Sequence, residues 1–360
     1  MNLFRRKRWW LDDRLMQAVS AIGRGQLALA AALMNASHGF TDFFRLELID
    51  DHPPHCVARL KFRRGSCAIG LNPQLRDPSH QNSGLYRLMA SLWLIAACRG
   101  APDGAVWLNL GDAGHYLGLA FCDARPEYAL VPDSDYLGSG GYHLLAQHYL
   151  ANDVPWSERR PQAFWRGGTS GYHPPEGWRG IERIALCELA AAHPDRLDAG
   201  ITAIAQIDDP DEVSAIQTSG LMRPFVPHTE FHRYRYQIDI DGNTNAWAGL
   251  FKRLLTGSTV LKVASRGGYR QWYYDRLVPW ENYVPVATDM SDLVDRQRWL
   301  VENDAAAQRI GAAGRALALS MVRERELKLA RQTVFAALAA SARGEVFRAG
   351  PSTSDRKSGA

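Results

Sequence analysis

No apolar run in this 360-residue chain is long enough to cross a bilayer. The alanine-rich stretch 27–33 reads as a helix rather than a membrane anchor. Cysteine is scarce: Cys56, Cys67, Cys98, Cys122 and Cys187 form no CxxC pair and have no histidine partner at metal spacing. That excludes a structural zinc site, and the odd, scattered set argues for reduced thiols in a cytosolic compartment. Excess charge is also small. A net charge of +4 is too weak to argue for nucleic acid as a partner, though it suits an anionic ligand. The basic run Arg5-Arg6-Lys7-Arg8 lacks the apolar core and small-residue cleavage site of a secretory signal, and Asp12 and Asp13 interrupt at once. Beside Phe4, Trp9 and Trp10, residues 1–10 fit either a contact with an anionic inner-membrane surface or a solvated start.

What is present is an ordinary globular composition, 46% hydrophobic and 22% charged, with length for two domains. The most informative stretch is 236–262. Tyr236, Ile238 and Ile240 alternate as in a strand, and Asp241-Gly242-Asn243 supplies turn chemistry. Asn243, Thr244 or Asn245 can then cap a helix whose apolar positions are Trp247, Leu250, Phe251, Leu254 and Leu255, with Gly257 at its C-cap. Thr259 to Val263 reads as a buried strand. This βαβ unit aims helix N–H groups at one spot, which suits a diphosphate, although many such units bind nothing.

Elsewhere, helices are expected at 11–23, 26–35 and 86–97, with strands at 43–49 and 56–62 as a hairpin. The clearest strand of the first half, 105–110, runs into Gly111-Asp112-Ala113-Gly114. Strands at 120–122 and 128–131 complete an α/β pattern. The polar stretch 152–161 reads as a domain join. Beyond it come a strand at 163–165, a glycine-rich loop, a helix at 181–192, a strand near 201–207, the βαβ unit, a strand at 283–286, and helices at 291–301, 305–316 and 323–340. The resulting division is 1–155, 156–322, a C-terminal helix 323–342 packing back on the first domain, and a disordered tail 343–360.

Several ordered segments carry a resemblance: Phe164-Trp-Arg166-Gly167-Gly-Thr169-Ser170, Arg183, Tyr236-Gln-Ile-Asp-Ile-Asp241-Gly242, Gly257-Ser-Thr-Val-Leu-Lys262, and Trp280-x-x-Tyr283-Val-Pro285 through Asp289-x-Ser291-Asp292. Over residues 103–316 the chain resembles glycosyltransferase family 90, which includes capsule-associated transferases, protein O-glucosyltransferases and bacterial lipopolysaccharide glycosyltransferases. The resemblance implies a GT-B architecture, two Rossmann-like domains facing across a cleft, with C-terminal helices. It also implies inverting transfer from a UDP-sugar with no required metal or cofactor, the donor on the second domain and the acceptor on the first.

Such a transfer needs a base for the acceptor hydroxyl and a cationic or dipolar partner for the departing diphosphate. The resemblance assigns the base to Asp112, with His115 a weaker alternative one helical turn on; read alone, Asp112 fits an Asx-turn. For the donor, the resemblance points to Arg183 and to the Arg166, Gly167, Thr169 and Ser170 loop, with the Asp241, Gly242, Asn243, Thr244 and Asn245 turn and Lys262 beside them. Arg183 fits a surface ion pair with Glu182 or Glu188 as well, and Arg166 fits a brace behind the loop. Asp133 and Asp135 are acceptor-side candidates. Eukaryotic members carry Ser-x-Arg where this chain has Trp247-Ala248-Gly249, a form more like the lipopolysaccharide branch. The diphosphate would then fall to Arg183, the helix N-terminus, Lys252 or Lys262.

The expectation is therefore a cytoplasmic transferase, peripheral on the inner membrane through residues 1–10, moving a hexose or xylose from a UDP-sugar to a glycan or lipid-linked glycan, with no nucleic acid as partner. Two alternatives stay open. One is a metal-dependent transferase or nucleotide-sugar hydrolase using Asp239-x-Asp241 as a DxD. The other is a non-catalytic, membrane-associated nucleotide-binding protein.

Overall fold

The computed structural model describes residues 43–51, 56–72, 78–245 and 247–343. The helices expected at 11–23 and 26–35, the basic run, and the tail beyond Arg343 lie outside them. The chain divides into two compact units after Gly138 and after Val322, and the C-terminal segment belongs with the first. The boundary read from sequence after residue 155 falls later, because the helix that follows Gly138 packs within the second unit.

The first unit is built on a six-stranded mixed sheet. Strands β1 (Phe44–Leu48), β2 (Val57–Arg63) and β3 (Ser66–Leu71) precede helix α1 (Pro78–Ala97), then come β4 (Gly104–Asn109), β5 (Gly118–Ala120), β6 (Ala129–Leu130) and helix α2 (Ser134–Gly138). Their spatial order is β1-β3-β2-β4-β5-β6. The expected pairing of the first two strands is corrected. β2 makes its hairpin with β3, and β1 runs parallel to β3 on its far side. The turn explains it: Arg64 and Gly65 both have positive φ, at 49° and 76°, the backbone of a tight two-residue hairpin. This turn sets β2 antiparallel to β3; β2 is also antiparallel to β4, whereas β4, β5 and β6 run parallel.

The second unit is wholly parallel. Helix α3 (His143–Ala151) leads to β7 (Arg160–Gly168), α4 (Glu182–Ala192), β8 (Leu197–Ala203), α5 (Pro210–Thr218), β9 (Tyr234–Asp239), α6 (Ala248–Leu255), β10 (Thr259–Val263), β11 (Val284–Val286), α7 (Leu293–Glu302) and α8 (Asp304–Ser320). The strand order is β11-β10-β9-β7-β8, all pairs parallel. The expected βαβ unit is β9-α6-β10. Tyr236, Ile238 and Ile240 bury on one face with Ile184, Leu186 and Cys187 of α4. On the other face α6 buries Leu250, Phe251, Leu254 and Leu255, so the strand is covered on both sides, as parallel sheets require. Helix α5, absent from the sequence reading, starts with Asp209 accepting from the Asp211 N–H at 2.8 Å and with Pro210 in its first turn. The last helix, α9 (Arg323–Ala342), returns to the first unit and packs on α1 and β4.

Candidate active site

Strand order fixes where the second unit can bind a ligand. After β7 the chain places β8 on one side and β9 on the other, so the crossovers diverge between β7 and β9. A crevice opens at such a switch point, outside the carboxyl ends of the strands. Arg183, from the first turn of α4, spans this point. Its Nε donates to the Asp241 carbonyl at 2.8 Å, and its Nη1 donates to Ser170 Oγ at 2.7 Å and to the Gly168 carbonyl at 3.3 Å. Its Nη2 reaches the Ile240 carbonyl at 3.5 Å, and the guanidinium lies 5.8 Å from the Trp165 ring centroid. The residue thus ties the end of β7 to the end of β9. Burial, and then repulsion from Arg253, push its pKa down to about 10, which leaves it charged at neutral pH. These contacts are not those of a surface ion pair: they join the loops at the ends of β7 and β9.

Asp241 sits beside it with 7% of its surface exposed. Neither carboxylate oxygen meets a donor of the described residues with hydrogen-bond geometry. Burial pushes its pKa up to about 6, against the pull of Lys262 and the Ser265 hydroxyl. A buried, unsatisfied carboxylate at a switch point is a ready acceptor for ligand hydroxyls.

The other donor-side candidates separate. Arg166 points to the opposite face of β7, where its Nη2 donates to Asp198 Oδ1 at 2.6 Å and its Nη1 to the Asp198 carbonyl at 2.8 Å. It braces β7 to β8, apart from Arg183. Thr169 is buried, its hydroxyl donating to the Ala205 carbonyl and accepting from the Ala205 N–H, both at 2.8 Å. It therefore shapes the loop. Gly167 sits in β7 beside the Trp165 ring. Lys262 lies 3.6 Å from Asp239 and 5.0 Å from the Tyr274 ring centroid.

The capping expectation is corrected. Helix α6 begins at Ala248 with Trp247 as its N-cap, at φ 41° and ψ −109°, without a side-chain cap bond. The reason is that the preceding residues bond elsewhere. The Thr244 carbonyl accepts the Gly242 N–H at 2.9 Å, Thr244 Oγ1 accepts from Trp247 Nε1 at 3.3 Å, and Asn245 Nδ2 donates to the Tyr269 carbonyl at 3.0 Å. Asn243 is exposed at the tip. Trp247, in a sparsely populated backbone region, is the strained residue of this turn.

Asp239 carries an unexpected network. Fully buried, it lies 3.6 Å from both Arg253 of α6 and Lys262 of β10. The carboxylate that a DxD would offer to a metal is thus already flanked by two cations. Among the described residues, no group of three His, Cys, Asp or Glu is arranged to hold a metal ion.

In the first unit, Asp112 lies just past β4, partly exposed, and Oδ1 accepts from Arg87 Nη2 at 3.0 Å. Arg87 Nη1 also donates to the Leu110 carbonyl at 2.7 Å. His115 is not one helical turn on. Residues 111–117 form an irregular loop, and the His115 N–H donates to Asn109 Oδ1 at 2.7 Å. Asp133, buried, accepts the Tyr136 N–H at 2.8 Å at the start of α2, and Asp135 is half-buried in that helix.

Comparison with known proteins adds the decisive observation. Residues 142–328, more than half of the chain, match the family described as Glycosyl transferase family 90. The chain belongs to this family. The family 90 chain is 31% identical over 173 residues to protein O-glucosyltransferase 3 of Homo sapiens, covering 48% of this chain and 30% of that protein. It is 30% identical over 268 residues to protein O-glucosyltransferase 2 of Danio rerio, covering 69% of this chain and 50% of that protein. It thus spans half or less of the length of these relatives. A solved structure of Anabaena HepE in complex with UDP-glucose aligns at TM-score 0.35 and 15% identity, covering 56% of this chain and 53% of that one. The matched segment contains Arg166, Thr169, Ser170, Arg183, Asp241 and Lys262, whereas Asp112 lies before it. No described helix of the family 90 chain is long and apolar enough to cross a membrane.

Proposed function

We propose that the protein is an inverting glycosyltransferase that moves a hexose or xylose from a UDP-sugar to a hydroxyl of a lipopolysaccharide core, capsule or other surface glycan, without an obligatory metal. The observation that carries this reading is the meeting of Arg183, Ser170, Asp241 and Gly242 at the switch point of the parallel sheet, inside the segment that matches the family. Arg183 brings the positive charge that a departing UDP requires and fixes the Ser170 loop against the Gly242 turn. Asp241 offers a carboxylate to donor hydroxyls. Asp112 acts as the base: the acceptor oxygen bonds to the anomeric carbon as its proton passes to the carboxylate, the anomeric carbon–oxygen bond to the diphosphate breaks, and UDP leaves with the electron pair. The flanking of Asp239 by Arg253 and Lys262 supports the metal-independent reading. The relatives named protein O-glucosyltransferase make UDP-glucose the first donor to test. The same reading puts the protein on the cytoplasmic face of the inner membrane, reaching a lipid-linked acceptor.

The test is thermal stabilisation and donor hydrolysis with UDP-, GDP- and ADP-sugars, with and without EDTA, on wild type, Ser170→Ala and Arg183→Ala. Stabilisation by UDP and one UDP-sugar that persists in EDTA, weakens in Ser170→Ala and disappears in Arg183→Ala is expected. Silence toward every nucleotide refutes the reading, and loss of turnover in EDTA refutes its metal independence.

A further inference from the structure

The loop that carries Asp112 is held by side-chain hydrogen bonds from both directions along the chain. Asn109, the last residue of β4, is buried and spends its amide on this loop and on β5 after it: Oδ1 accepts the N–H groups of His115 and Tyr116 at 2.7 and 3.1 Å, while Nδ2 donates to the carbonyls of Tyr116 and, in β5, Leu119 at 2.8 and 2.9 Å. Gly114 is gripped on both sides. Its N–H donates to Asp123 Oδ2 at 2.8 Å, and its carbonyl accepts from Arg125 Nη2 at 2.5 Å. Asp123, its side chain 2% exposed, also accepts from the Arg125 backbone N–H, Nε and Nη2 at 2.8 to 2.9 Å. Burial alone would raise the Asp123 pKa, yet the bonds from Arg125 and Gly114 hold it below the ordinary carboxylate range. The Arg125 guanidinium lies 4.4 Å from the Tyr128 ring centroid, and a Cβ at Gly114 would fall 2.0 Å from that ring, so no side chain fits there.

From these contacts we infer that Asn109, Asp123 and Arg125 are positioning residues that clamp the 111–117 loop so that Asp112 is held in one place for proton transfer. This rests on the reading of Asp112 as the base. Two polar devices meet on one short loop: one anchors its backbone at residue 114, the other at residues 115 and 116. The acid lies between the end of β4 and these anchors, with Arg87 fixing its carboxylate from α1. Three different elements thus converge on the few residues around one carboxylate, which is how a reacting group is preorganised.

The experiment compares wild type with Asn109→Leu, Asp123→Asn, Arg125→Lys, Asp112→Asn and the double variant Asp112→Asn/Asp123→Asn. It measures kcat and KM for UDP-glucose hydrolysis, stabilisation by UDP, and backbone amide exchange at residues 114–116. The clamp predicts kcat falling roughly 10- to 100-fold in Asn109→Leu and Asp123→Asn, with KM and UDP stabilisation held and the amides exchanging faster. Arg125→Lys should lie between these and wild type. The double variant should be no slower than Asp112→Asn, because Asp123 works only through Asp112. Unchanged exchange at residues 114–116 in Asp123→Asn, unchanged kcat in both clamp variants, or losses that multiply in the double variant would overturn the clamp. Full activity in Asp112→Asn would instead refute the base assignment itself.

Discussion

Replacing Asp241 with asparagine should make the protein more stable and less able to bind its donor. A carboxyl that ordinarily ionises at 3.8 is pushed up to about 6 here, mainly by burial. The difference of about 2 in pKa, at 1.36 kcal/mol for each, means that the ionised side chain costs the folded state about 3 kcal/mol. The sign follows from which state holds the proton. Below about pH 4 the group is neutral in both states and contributes nothing. Between about 4 and 6 the unfolded chain gives up its proton while the folded chain retains it, so stability falls as pH rises, and above about 6 the full cost remains. Asp241→Asn should therefore match wild type near pH 4, gain through that window, and be about 3 kcal/mol more stable at pH 7.5. Urea unfolding across this range measures it. If the carboxylate receives donor hydroxyls, the same variant loses charge-assisted hydrogen bonds of about 1.5–3 kcal/mol, a roughly 10- to 100-fold weaker UDP-glucose affinity by titration calorimetry. A variant less stable than wild type at pH 7.5 would refute the reasoning, because it would mean that the folded protein satisfies the charge.

Asp239→Asn should act in the opposite direction. It leaves Arg253 and Lys262 buried without their shared counter-charge, so denaturant unfolding should show a loss of about 3–5 kcal/mol; unchanged stability together with metal-dependent turnover would favour the DxD alternative. Gly257→Ala meets two obstacles, a φ of +71° and a Cβ 2.5 Å from the Arg315 Nε. The backbone cost alone is about 1–2 kcal/mol, and displacing Arg315 also disturbs its bonds to Asp153, so the urea midpoint should fall. Arg166→Gln should lower the melting temperature by weakening the tie to Asp198 while leaving the UDP-induced shift as in wild type; abolished UDP binding in a folded Arg166→Gln would return that arginine to the donor site.

The β9-α6-β10 unit was legible because three independent signals agreed: alternation at Tyr236, Ile238 and Ile240, helical spacing in Leu250, Phe251, Leu254 and Leu255, and a glycine where the helix stops. Gly257 indeed has the positive φ of a C-terminal glycine. Helix α5 carried an equally plain start at Asp209-Pro210 that went unread. Strand β3 gave less, since Ser66-Cys-Ala-Ile-Gly-Leu71 is small and glycine-bearing, and only the Arg64-Gly65 turn reveals it. Arg183 was found, but its partners were not, because most are backbone carbonyls that converge only when β7 and β9 become neighbours. The reading of Asp239 as a metal ligand stayed open because a strand's period says which face a residue takes, not what the next helix lays over it.

This last point joins the fold to its chemistry. In β9 the residues facing α4 are apolar, whereas the alternate residues Gln237 and Asp239 face the α6 side, with Asp241 continuing that series past the strand end. An apolar residue at 239 would leave the Arg253 and Lys262 charges buried without their shared counter-ion. All along the series, polar atoms are left that the described residues do not hydrogen-bond. Gln237 Nε2 donates to the Phe231 carbonyl at 2.7 Å while its Oε1 meets no donor among the described residues, Asp239 has two cations at 3.6 Å but no geometric hydrogen bond, and Asp241 has no geometric hydrogen bond either. A strand designed only for stability would become more apolar toward its buried end. One that carries unmet polarity up to the switch point, where the strained Trp247 backbone also lies, has stability set aside for a ligand. Stabilising substitutions in the second unit should accordingly concentrate at Asp241 and the following turn, and each should weaken donor binding in proportion to the polarity it removes.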